Sequence, residues 1–228
     1  SVRHLALDHA GRVYSVGAKL LWVIRAADGE LDDSRNLGFV AVAVGRSGRV
    51  YVVSANGVEL IDDKGSQLWW SPRLMGCGPP ALDDSENVYV GCYSGLVSFT
   101  ADGKPRWTYP VDGAGSPSIG SDGSVYFGAR DGTVYAVTGR DCQRVWSFRS
   151  GGEVGGAPAV ASDGSVYVGT EKGVLYALGP DGSLRWSFPA AAPLLSPTIA
   201  PDGTVYVQSA TGVLYAFAQG NGGLAGAP

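Results

Sequence analysis

The dipeptide Val-Tyr recurs six times at nearly equal intervals, and this repeat constrains the fold more than any other feature of the chain. Successive intervals are 37, 38, 37, 41 and 39 residues. A period near 40 residues, with several short strands in each unit, is typical of a β-propeller in which each repeat forms one blade. The tyrosines of the six pairs are Tyr14, Tyr51, Tyr89, Tyr126, Tyr167 and Tyr206.

The fifth repeat shows most clearly how one blade is built. It contains four β-branched or aromatic runs, and Asp-Gly pairs follow the first and the third. Asp-Gly between such runs is a strong hairpin signal, and we expect type I′ turns there. The repeat therefore predicts an antiparallel blade with strands A to D at residues 158–161, 166–169, 174–178 and 184–188.

The fourth strand is less regular than the first three. Trp69, Trp107, Trp146 and Trp186 mark strand D in repeats two to five, whereas repeat one has Asp33 at that position. Repeat six ends after its third strand in a tail rich in Gly and Ala. We therefore expect an all-β, six-bladed propeller of four-stranded antiparallel blades whose last blade is incomplete, with strand D convincing in only four repeats. The alternative is a fragment of a seven- or eight-bladed ring.

No composition shift or linker interrupts the repeats, which predicts a single domain over residues 1–228. The six blades are expected at residues 1–37, 38–75, 76–112, 113–153, 154–192 and 193–228.

Composition excludes several classes of protein. The chain has 228 residues, 45% of them hydrophobic, and a net charge of −4, which argues against a nucleic-acid partner. No run of 18 or more apolar residues is present, so no transmembrane segment is expected. No signal peptide is visible, and a start in the middle of a repeat is compatible with removal of a leader or of a preceding segment.

The chain has three cysteines, too few for a disulfide scaffold. Cys77 and Cys92 fall on neighbouring strands of the third repeat. A hairpin register counted outward from Asp84 and Asn87 places their sulfurs on a diagonal, beyond the reach of an unstrained disulfide. Both are therefore expected to be small buried apolar residues, with a bridge as the alternative.

Two segments carry a family resemblance. The string Ser-Pro-x-Ile-x-x-Asp-Gly-x-Val-Tyr-Val at residues 196–207, followed by Gly-Val-Leu-Tyr-Ala at 212–216, resembles the PQQ-like β-propeller repeat. So does Asp-Gly-x-x-x-Trp-x-Phe at residues 181–188. Such repeats occur in quinoprotein dehydrogenases, in the lipoprotein of the outer-membrane β-barrel assembly machinery and in bacterial sensor domains. The resemblance implies that the strand-D tryptophans, Trp69, Trp107, Trp146 and Trp186, dock against the adjacent blade.

The same resemblance implies fold rather than cofactor. Quinoprotein enzymes of this type are longer chains with an adjacent-cysteine disulfide, a calcium site and a catalytic aspartate, and none of these roles can be assigned to a residue here. No cofactor is therefore expected. By resemblance, the chain is expected in the periplasm or outside the cell.

Candidate catalytic and metal sites have simpler explanations. Turn geometry accounts for the Asp-Gly pairs. The Asp83-x-Ser85-x-Asn87 string lacks the glycine and glutamate of a calcium loop. The two histidines, His4 and His9, have no ligand partners at metal spacing, and no nucleophile motif is present. The sequence thus predicts a chain that is not an enzyme and has no metal site.

Unexplained polarity concentrates in the B–C and D–A loops, which lie at the same end of each sheet. The B–C loops differ between repeats, and we interpret this variation as freedom from turn constraints. The D–A loops add Arg73, Asp112, Glu153 and the pair Leu194-Leu195. Loops on a rigid scaffold are where function usually lies. The candidate binding face consists of Tyr93, Arg130, Asp131, Glu171, Lys172 and Gln208.

These observations favour a non-catalytic scaffold or binding module for a protein partner of unknown identity. One alternative is a sensor that binds a small ligand or quinone at the channel mouth. A second, weaker alternative is a lyase or hydrolase that uses carboxylates such as Asp131 and Glu171.

Overall fold

The computed structural model describes residues 4–7, 11–16, 20–25, 27–36, 39–54, 57–62, 66–72 and 74–218. These residues form six antiparallel sheets, five with four strands and one with three. Within each sheet the strands follow chain order, so each neighbouring pair is a hairpin. We name the strands A to D within a sheet and number the sheets 1 to 6.

The first three sheets lie in one compact unit, Ser1–Val111. Sheet 1 contains β1 (His4–Leu7), β2 (Arg12–Val16), β3 (Leu20–Arg25) and β4 (Leu31–Asn36). Sheet 2 contains β5 (Phe39–Val44), β6 (Val50–Ser54), β7 (Gly57–Ile61) and β8 (Gln67–Pro72). Sheet 3 contains β9 (Ala81–Leu82), β10 (Val88–Cys92), β11 (Gly95–Phe99) and β12 (Pro105–Pro110).

The other three sheets lie in a second compact unit, Asp112–Pro228. Sheet 4 contains β13 (Ser118–Ile119), β14 (Ser124–Gly128), β15 (Thr133–Thr138) and β16 (Arg144–Arg149). Sheet 5 contains β17 (Ala159–Val160), β18 (Val166–Gly169), β19 (Val174–Leu178) and β20 (Leu184–Pro189). Sheet 6 contains β21 (Thr198–Ile199), β22 (Val205–Gln208) and β23 (Leu214–Phe217). The prediction of a single domain stays a prediction.

The predicted all-β fold of four-stranded antiparallel sheets is confirmed, including the strands of the fifth repeat. One expectation was too cautious: β4 supplies a fourth strand to sheet 1, with Asp33 opposite Val23 where the other sheets have the tryptophan. Backbone pairing does not depend on that side chain. In all five four-stranded sheets the C–D ladder shifts register just before this position, as a β-bulge does.

Cores form between successive sheets of the same unit. Strands β6, β10 and β14 are buried at every position, as expected for strands covered on both faces. In the first unit, Tyr51, Val58 and Leu60 of sheet 2 share a cluster with Val88 and Phe99 of sheet 3. In the second unit a corresponding cluster joins sheets 4 and 5. Each sheet is therefore held by its neighbours as well as by its own ladder.

The A–B hairpins of sheets 2 to 6 do not have the predicted type I′ turns. In sheet 4, Gly123 donates its N–H to the Gly120 carbonyl at 3.0 Å, and Gly120 donates to Ser124 at 2.9 Å. The loop therefore has three residues, and only its last, Gly123, has a positive φ, 78°. Asp122 instead accepts the Ser124 N–H through Oδ1 at 3.0 Å. The aspartate stabilises the turn with its side chain, while glycine supplies the left-handed backbone.

Candidate functional site

The six residues of the predicted binding face lie in or next to B–C turns, but not all in one unit. Tyr93 lies in the β10–β11 turn of the first unit. Arg130 and Asp131 follow β14, Glu171 and Lys172 follow β18, and these lie in the second unit. Gln208 is the last residue of β22 rather than a loop residue. Whether the six form a binding face stays a prediction.

The B–C turns of the second unit are not free of turn constraints, and that interpretation was wrong. Gly132, Gly173 and Gly212 have φ of 79°, 74° and 89°. Each donates its N–H to the residue three positions earlier, as in the A–B turns. The backbone of these turns therefore requires glycine at the last position, while the two residues before it, 130–131, 171–172 and 210–211, differ between the turns.

Arg130 lies between two D–A loops. Its backbone N–H donates to the Gly113 carbonyl at 3.1 Å. Its guanidinium lies 3.9 Å from Asp112 Oδ1 and 3.7 Å from Glu153 Oε1, and the side chain is half exposed. Exposed ion pairs at such distances contribute little to stability. The charge of Arg130 therefore remains accessible at the surface.

Asp131 is occupied within its own turn. Its Oδ1 accepts the Thr133 N–H at 2.8 Å, and its Oδ2 accepts the Tyr135 hydroxyl at 2.9 Å. Both oxygens thus stabilise the hairpin, which gives Asp131 a structural explanation. Glu171 is exposed, and its N–H donates to the Glu153 carbonyl at 3.0 Å. The two carboxylates of the weaker catalytic alternative therefore have different surroundings.

Lys172 and Gln208 are both exposed and both attached to a D–A loop. The aliphatic part of Lys172 covers Gly152, where an added Cβ would lie 3.0 Å from Lys172 Cγ. The Gln208 carbonyl accepts the Leu195 N–H at 2.9 Å. These contacts therefore hold the B–C turns against the D–A loops, while the side chains of Lys172 and Gln208 remain exposed.

A layer of buried residues below this surface was missed by the sequence reasoning. Val154 is 1% exposed and covers Gly128, and Leu194 is 4% exposed and covers Gly169. The two residues of the predicted pair Leu194-Leu195 therefore differ in burial, because Leu195 is 51% exposed. The 40-residue spacing of Ala114, Val154 and Leu194, all buried, is the signal that could have identified the layer.

We call the exposed side chains above this layer the loop face of the second unit. Backbone hydrogen bonds fix its loops: Val154 donates to Ala129 at 3.2 Å, and Leu194 donates to Thr170 at 3.1 Å. Such a surface is preorganised for binding, because little loop ordering remains to oppose association. The loop face consists of Arg130, Glu153, Glu171, Lys172, Leu195 and Gln208.

Tyr93 lies in a different part of the molecule, where a disulfide joins a D–A loop to the last residue of β10. Cys77 and Cys92 are bridged, with their Cα atoms 4.0 Å apart, and the expectation of two unbridged cysteines was wrong. The β9–β10 turn pairs Leu82 with Val88, not the register that we counted. Past β9 the pairing slips further, because Gly78 donates to Gly91 at 2.9 Å, and this brings the two cysteines opposite each other.

The disulfide supports two exposed apolar side chains. Met75 is 68% exposed and Tyr93 57% exposed, and the Tyr93 N–H donates to the Met75 carbonyl at 3.1 Å. The Tyr93 ring lies against Gly76, where an added Cβ would be 2.4 Å from the ring. Arg73, the remaining D–A candidate, lies outside the described residues.

Three of the four strand-D tryptophans contact the next sheet of their unit. Trp69 lies over Gly103 and 5.6 Å from the Phe99 ring. Trp146 lies over Gly182 and donates from Nε1 to the Pro180 carbonyl at 2.9 Å. Trp186 lies 5.4 Å from the Phe217 ring, whereas the Trp107 ring lies 5.6 Å from the ring of Tyr89 in its own sheet, and these two rings are tilted to each other.

The Asp83 string forms a hydrogen-bonded turn. Asp83 Oδ1 accepts hydrogen bonds from the N–H groups of Ser85 and Asn87, and Asp83 Oδ2 accepts from Asn87 Nδ2 and the Tyr89 hydroxyl, all at 2.8–2.9 Å. Within the described ranges, no three His, Cys, Asp or Glu side chains are grouped as metal ligands. His4 begins β1, and His9 lies outside those ranges. No helix there is long and apolar enough to cross a membrane.

Comparison with known proteins identifies the family. The family model of outer membrane protein assembly factor BamB matches residues 46–154 and 130–225. The crystal structure of BamB from Moraxella catarrhalis has a TM-score of 0.76 and 16% identity, covering 96% of this chain and 74% of that chain. At that identity the structural likeness shows the β-propeller fold alone, and no curated protein matches. Because the family model covers most of its length, the chain belongs to the BamB family of PQQ-like β-propellers.

Proposed function

We propose that this chain is a non-catalytic scaffold that binds a protein partner through the loop face of the second unit. The observation that carries the proposal is the BamB family match over residues 46–154 and 130–225. The chemistry of the face supports it. Leu195, 51% exposed, adds an apolar side chain to a face of charged and amide side chains. Protein interfaces combine apolar and polar side chains in this way.

The family also indicates the kind of partner. The matched family is named for assembly of outer-membrane proteins, so we propose a partner from that process in a bacterial envelope. The Cys77–Cys92 disulfide supports a location in the periplasm or outside the cell, since disulfides persist in oxidising compartments. We infer no cofactor for this role.

The test is a pull-down from native envelope extract that compares the wild-type chain with Arg130→Ala/Lys172→Ala. We expect the variant to lose a protein that the wild type retains, while its unfolding midpoint is unchanged, because both side chains are exposed. Asp122→Ala is the matched control, since it changes a turn at the opposite end of sheet 4. Loss of the partner with the control but not with the double variant would place the interface on the A–B turns and refute the proposal.

A further inference from the structure

The dipeptide Asp-Gly occurs eight times in the chain, and the structure separates one of these pairs from the other seven. An aspartate followed by glycine can cyclise, because the glycine nitrogen can attack the side-chain carbonyl carbon and no Cβ obstructs its approach. Hydrogen bonds that hold either reacting group oppose this attack. The eight pairs begin at Asp28, Asp102, Asp112, Asp122, Asp131, Asp163, Asp181 and Asp202.

In six pairs the aspartate side chain is held by its own turn. Its Oδ1 accepts the N–H of the residue two positions later, at 2.8–3.0 Å. A carboxylate that is held in this way must give up a hydrogen bond before its carbon can meet the adjacent nitrogen. These six residues are Asp28, Asp122, Asp131, Asp163, Asp181 and Asp202.

The glycine is held as well in most of these pairs. Its N–H donates to the carbonyl three positions earlier, at 2.9–3.1 Å, in the pairs that begin at 122, 131, 163, 181 and 202. Gly103 of the seventh pair donates to Thr100 at 2.8 Å and lies beneath the Trp69 ring, while Asp102 lies 3.5 Å from Arg49. Because the N–H hydrogen must leave as the ring closes, these bonds also slow the reaction.

The pair Asp112-Gly113 has neither restraint. Asp112 Oδ1 lies 3.9 Å from the Arg130 guanidinium, beyond hydrogen-bond distance, and its side chain is 74% exposed. In the part of the chain that the structure describes, the Gly113 N–H has no acceptor and no N–H donates to the Asp112 carboxylate. Both reacting groups of this pair are therefore available in the folded protein.

We propose that Asp112-Gly113 is a modification site at which the folded chain forms isoaspartate. The Gly113 nitrogen bonds to Asp112 Cγ, the bond from Cγ to its hydroxyl oxygen breaks, and the hydroxyl leaves with the amide proton as water. Water then adds to the main-chain carbonyl carbon of Asp112, whose bond to the Gly113 nitrogen breaks. The main chain now passes through Cβ and Cγ, and the mass is unchanged because one water leaves and one is added.

The rearrangement should change the loop that positions Arg130. The Gly113 carbonyl accepts the Arg130 N–H at 3.1 Å, and the Gly115 N–H donates to the Gly128 carbonyl at 2.8 Å. An isoaspartate adds one carbon to the backbone directly before Gly113 and so displaces the acceptor of Arg130. The Arg130 amide should therefore exchange hydrogen faster after isomerisation, whether or not the loop face binds a partner.

The first test is incubation of the purified chain at mildly acidic pH, where part of the carboxyl population is neutral and its hydroxyl can leave. Peptide mapping with electron-transfer fragmentation locates isoaspartate, and an isoaspartate methyltransferase with labelled methyl donor measures its amount. We expect isoaspartate at Asp112 before it forms at any of the other seven pairs. In urea all eight pairs should react at similar rates, because the turn hydrogen bonds are then lost.

A second test compares Asp112→Asn with Asp202→Asn. Asparagine cyclises by the same route with ammonia as the leaving group, so hydrolysis increases the mass and gives a direct signal. Both positions are exposed and precede glycine, but Asp202 Oδ1 accepts the Thr204 N–H and the Gly203 N–H donates to Ala200. We expect Asp112→Asn to deamidate about tenfold faster, because turn hydrogen bonds must break before the other variant can cyclise.

Asp112→Glu is the control for the loop, because glutamate would have to form a six-membered ring. Incubation should accelerate exchange of the Arg130 amide in the wild type and leave it unchanged in this variant. Three results would overturn the inference: isoaspartate first at another pair, none in the folded chain when the chain in urea has formed it, or equal deamidation of the two asparagine variants. Unchanged Arg130 exchange in a fully isomerised sample would overturn the proposed effect on the loop.

Discussion

The seam between sheets 2 and 3 and the seam between sheets 4 and 5 share one plan but differ in their polar groups. In each, a strand-D tryptophan lies over a glycine of the next sheet: Trp69 over Gly103 and Trp146 over Gly182. Trp146 donates its indole N–H to Pro180 at 2.9 Å. Trp69 Nε1 is buried and has no hydrogen-bond partner among the described residues.

The first of these seams has a carboxylate that the second lacks. Glu86 has a φ of 58° at the turn position where sheets 4, 5 and 6 have glycine. Its carboxylate accepts the Ser47 N–H and the Ser47 hydroxyl of sheet 2, each at 2.6 Å. Tyr51 donates a longer bond to it, 3.4 Å. Left-handed backbone is unfavourable for residues other than glycine, so these contacts offset a local cost.

The comparison shows that one packing motif tolerates two polar arrangements. Where the tryptophan has its acceptor, the turn keeps the glycine that the backbone favours. Where the tryptophan lacks an acceptor, a charged side chain crosses the seam and satisfies other groups. The predictions below test this difference, beginning with the largest effect.

Removing either docking tryptophan should have the largest effect. We expect Trp69→Ala and Trp146→Ala each to lower the free energy of unfolding by about 3–5 kcal/mol, because a large aromatic ring leaves a packed seam. Trp186→Ala should cost less, because that side chain is 37% exposed. Denaturant titration measures these losses. Trp70→Ala, 48% exposed in the same strand as Trp69, is the control, and a loss equal to that of Trp69→Ala would contradict the seam.

Breaking the disulfide should destabilise the first seam only. Cys77 and Cys92 are 15 residues apart and belong to the core cluster of sheets 2 and 3. A closed loop of that length contributes about 3 kcal/mol by limiting the unfolded chain. Cys77→Ser/Cys92→Ser should therefore lower the unfolding midpoint, and a reducing agent should do the same to the wild type but not to the variant. An unchanged wild type under full reduction would refute this.

Changing Glu86 separates backbone strain from its hydrogen bonds. Glu86→Ala should cost about 2 kcal/mol, because bonds to a charged group are lost and the left-handed backbone remains. Glu86→Gly should cost about 1 kcal/mol less, since glycine adopts that backbone freely. Chemical denaturation at neutral pH measures both. Equal losses would mean that the backbone at Glu86 is not strained.

The same residue predicts a pH dependence. Burial raises the pKa of Glu86, but bonds from Ser47, the charge of Arg49 and the bond from Tyr51 together hold that pKa below its ordinary value. A folded pKa below the unfolded one stabilises the protein above the unfolded pKa of about 4.3, and this stabilisation is lost as pH falls through the folded pKa. The stability difference between wild type and Glu86→Gln should therefore shrink below about pH 4.

Shortening the tryptophans to phenylalanine tests the indole hydrogen bond. Trp146→Phe should cost about 1 kcal/mol more than Trp69→Phe, because only Trp146 has a partner for its N–H. The two changes remove the same atoms, so denaturant titration of the pair isolates the bond to Pro180. A larger loss for Trp69→Phe would show that its indole N–H is satisfied.

The smallest effect concerns tyrosine ionisation. Burial, and then the nearby charge of Glu86, raise the pKa of Tyr51 to about 12, and burial raises that of Tyr89 to about 12 as well. Glu86→Gln should lower the pKa of Tyr51 and leave that of Tyr89 unchanged, because Tyr89 interacts with Asp83 and Arg106 instead. Ultraviolet titration of tyrosinate, with Tyr51→Phe to assign the signal, measures this. A shift in Tyr89 alone would contradict the seam geometry.

Much of the fold was readable from local pattern. Strands B and C of the fifth repeat, 166–169 and 174–178, were predicted with their observed bounds. Turn type was not, because Asp-Gly suits both a two-residue turn and a three-residue loop with glycine last. In sheet 3 that one-residue difference and a further slip past β9 together change the register, and they bring Cys77 opposite Cys92. A small local error thus became a missed covalent bond.

The candidate site was predictable in outline only. The sequence placed Arg130, Glu171 and Lys172 at one end of their sheets, and the structure has them in B–C turns. It gave no sign that Asp131 is occupied by Thr133 and Tyr135, or that Leu194 is buried while Leu195 is exposed. Two adjacent residues of one type are alike in sequence until packing against another sheet distinguishes them.

The sequence by itself determined the strands, their order and the antiparallel sheets, because strand pattern and hairpin turns depend on residues close together in the chain. Only the tertiary structure decided what crosses between sheets: Glu86 reaching Ser47 at a separation of 39 residues, and Trp146 reaching Pro180 at 34. Such contacts depend on how distant side chains meet in space. Patterns of neighbouring residues in the sequence do not predict them.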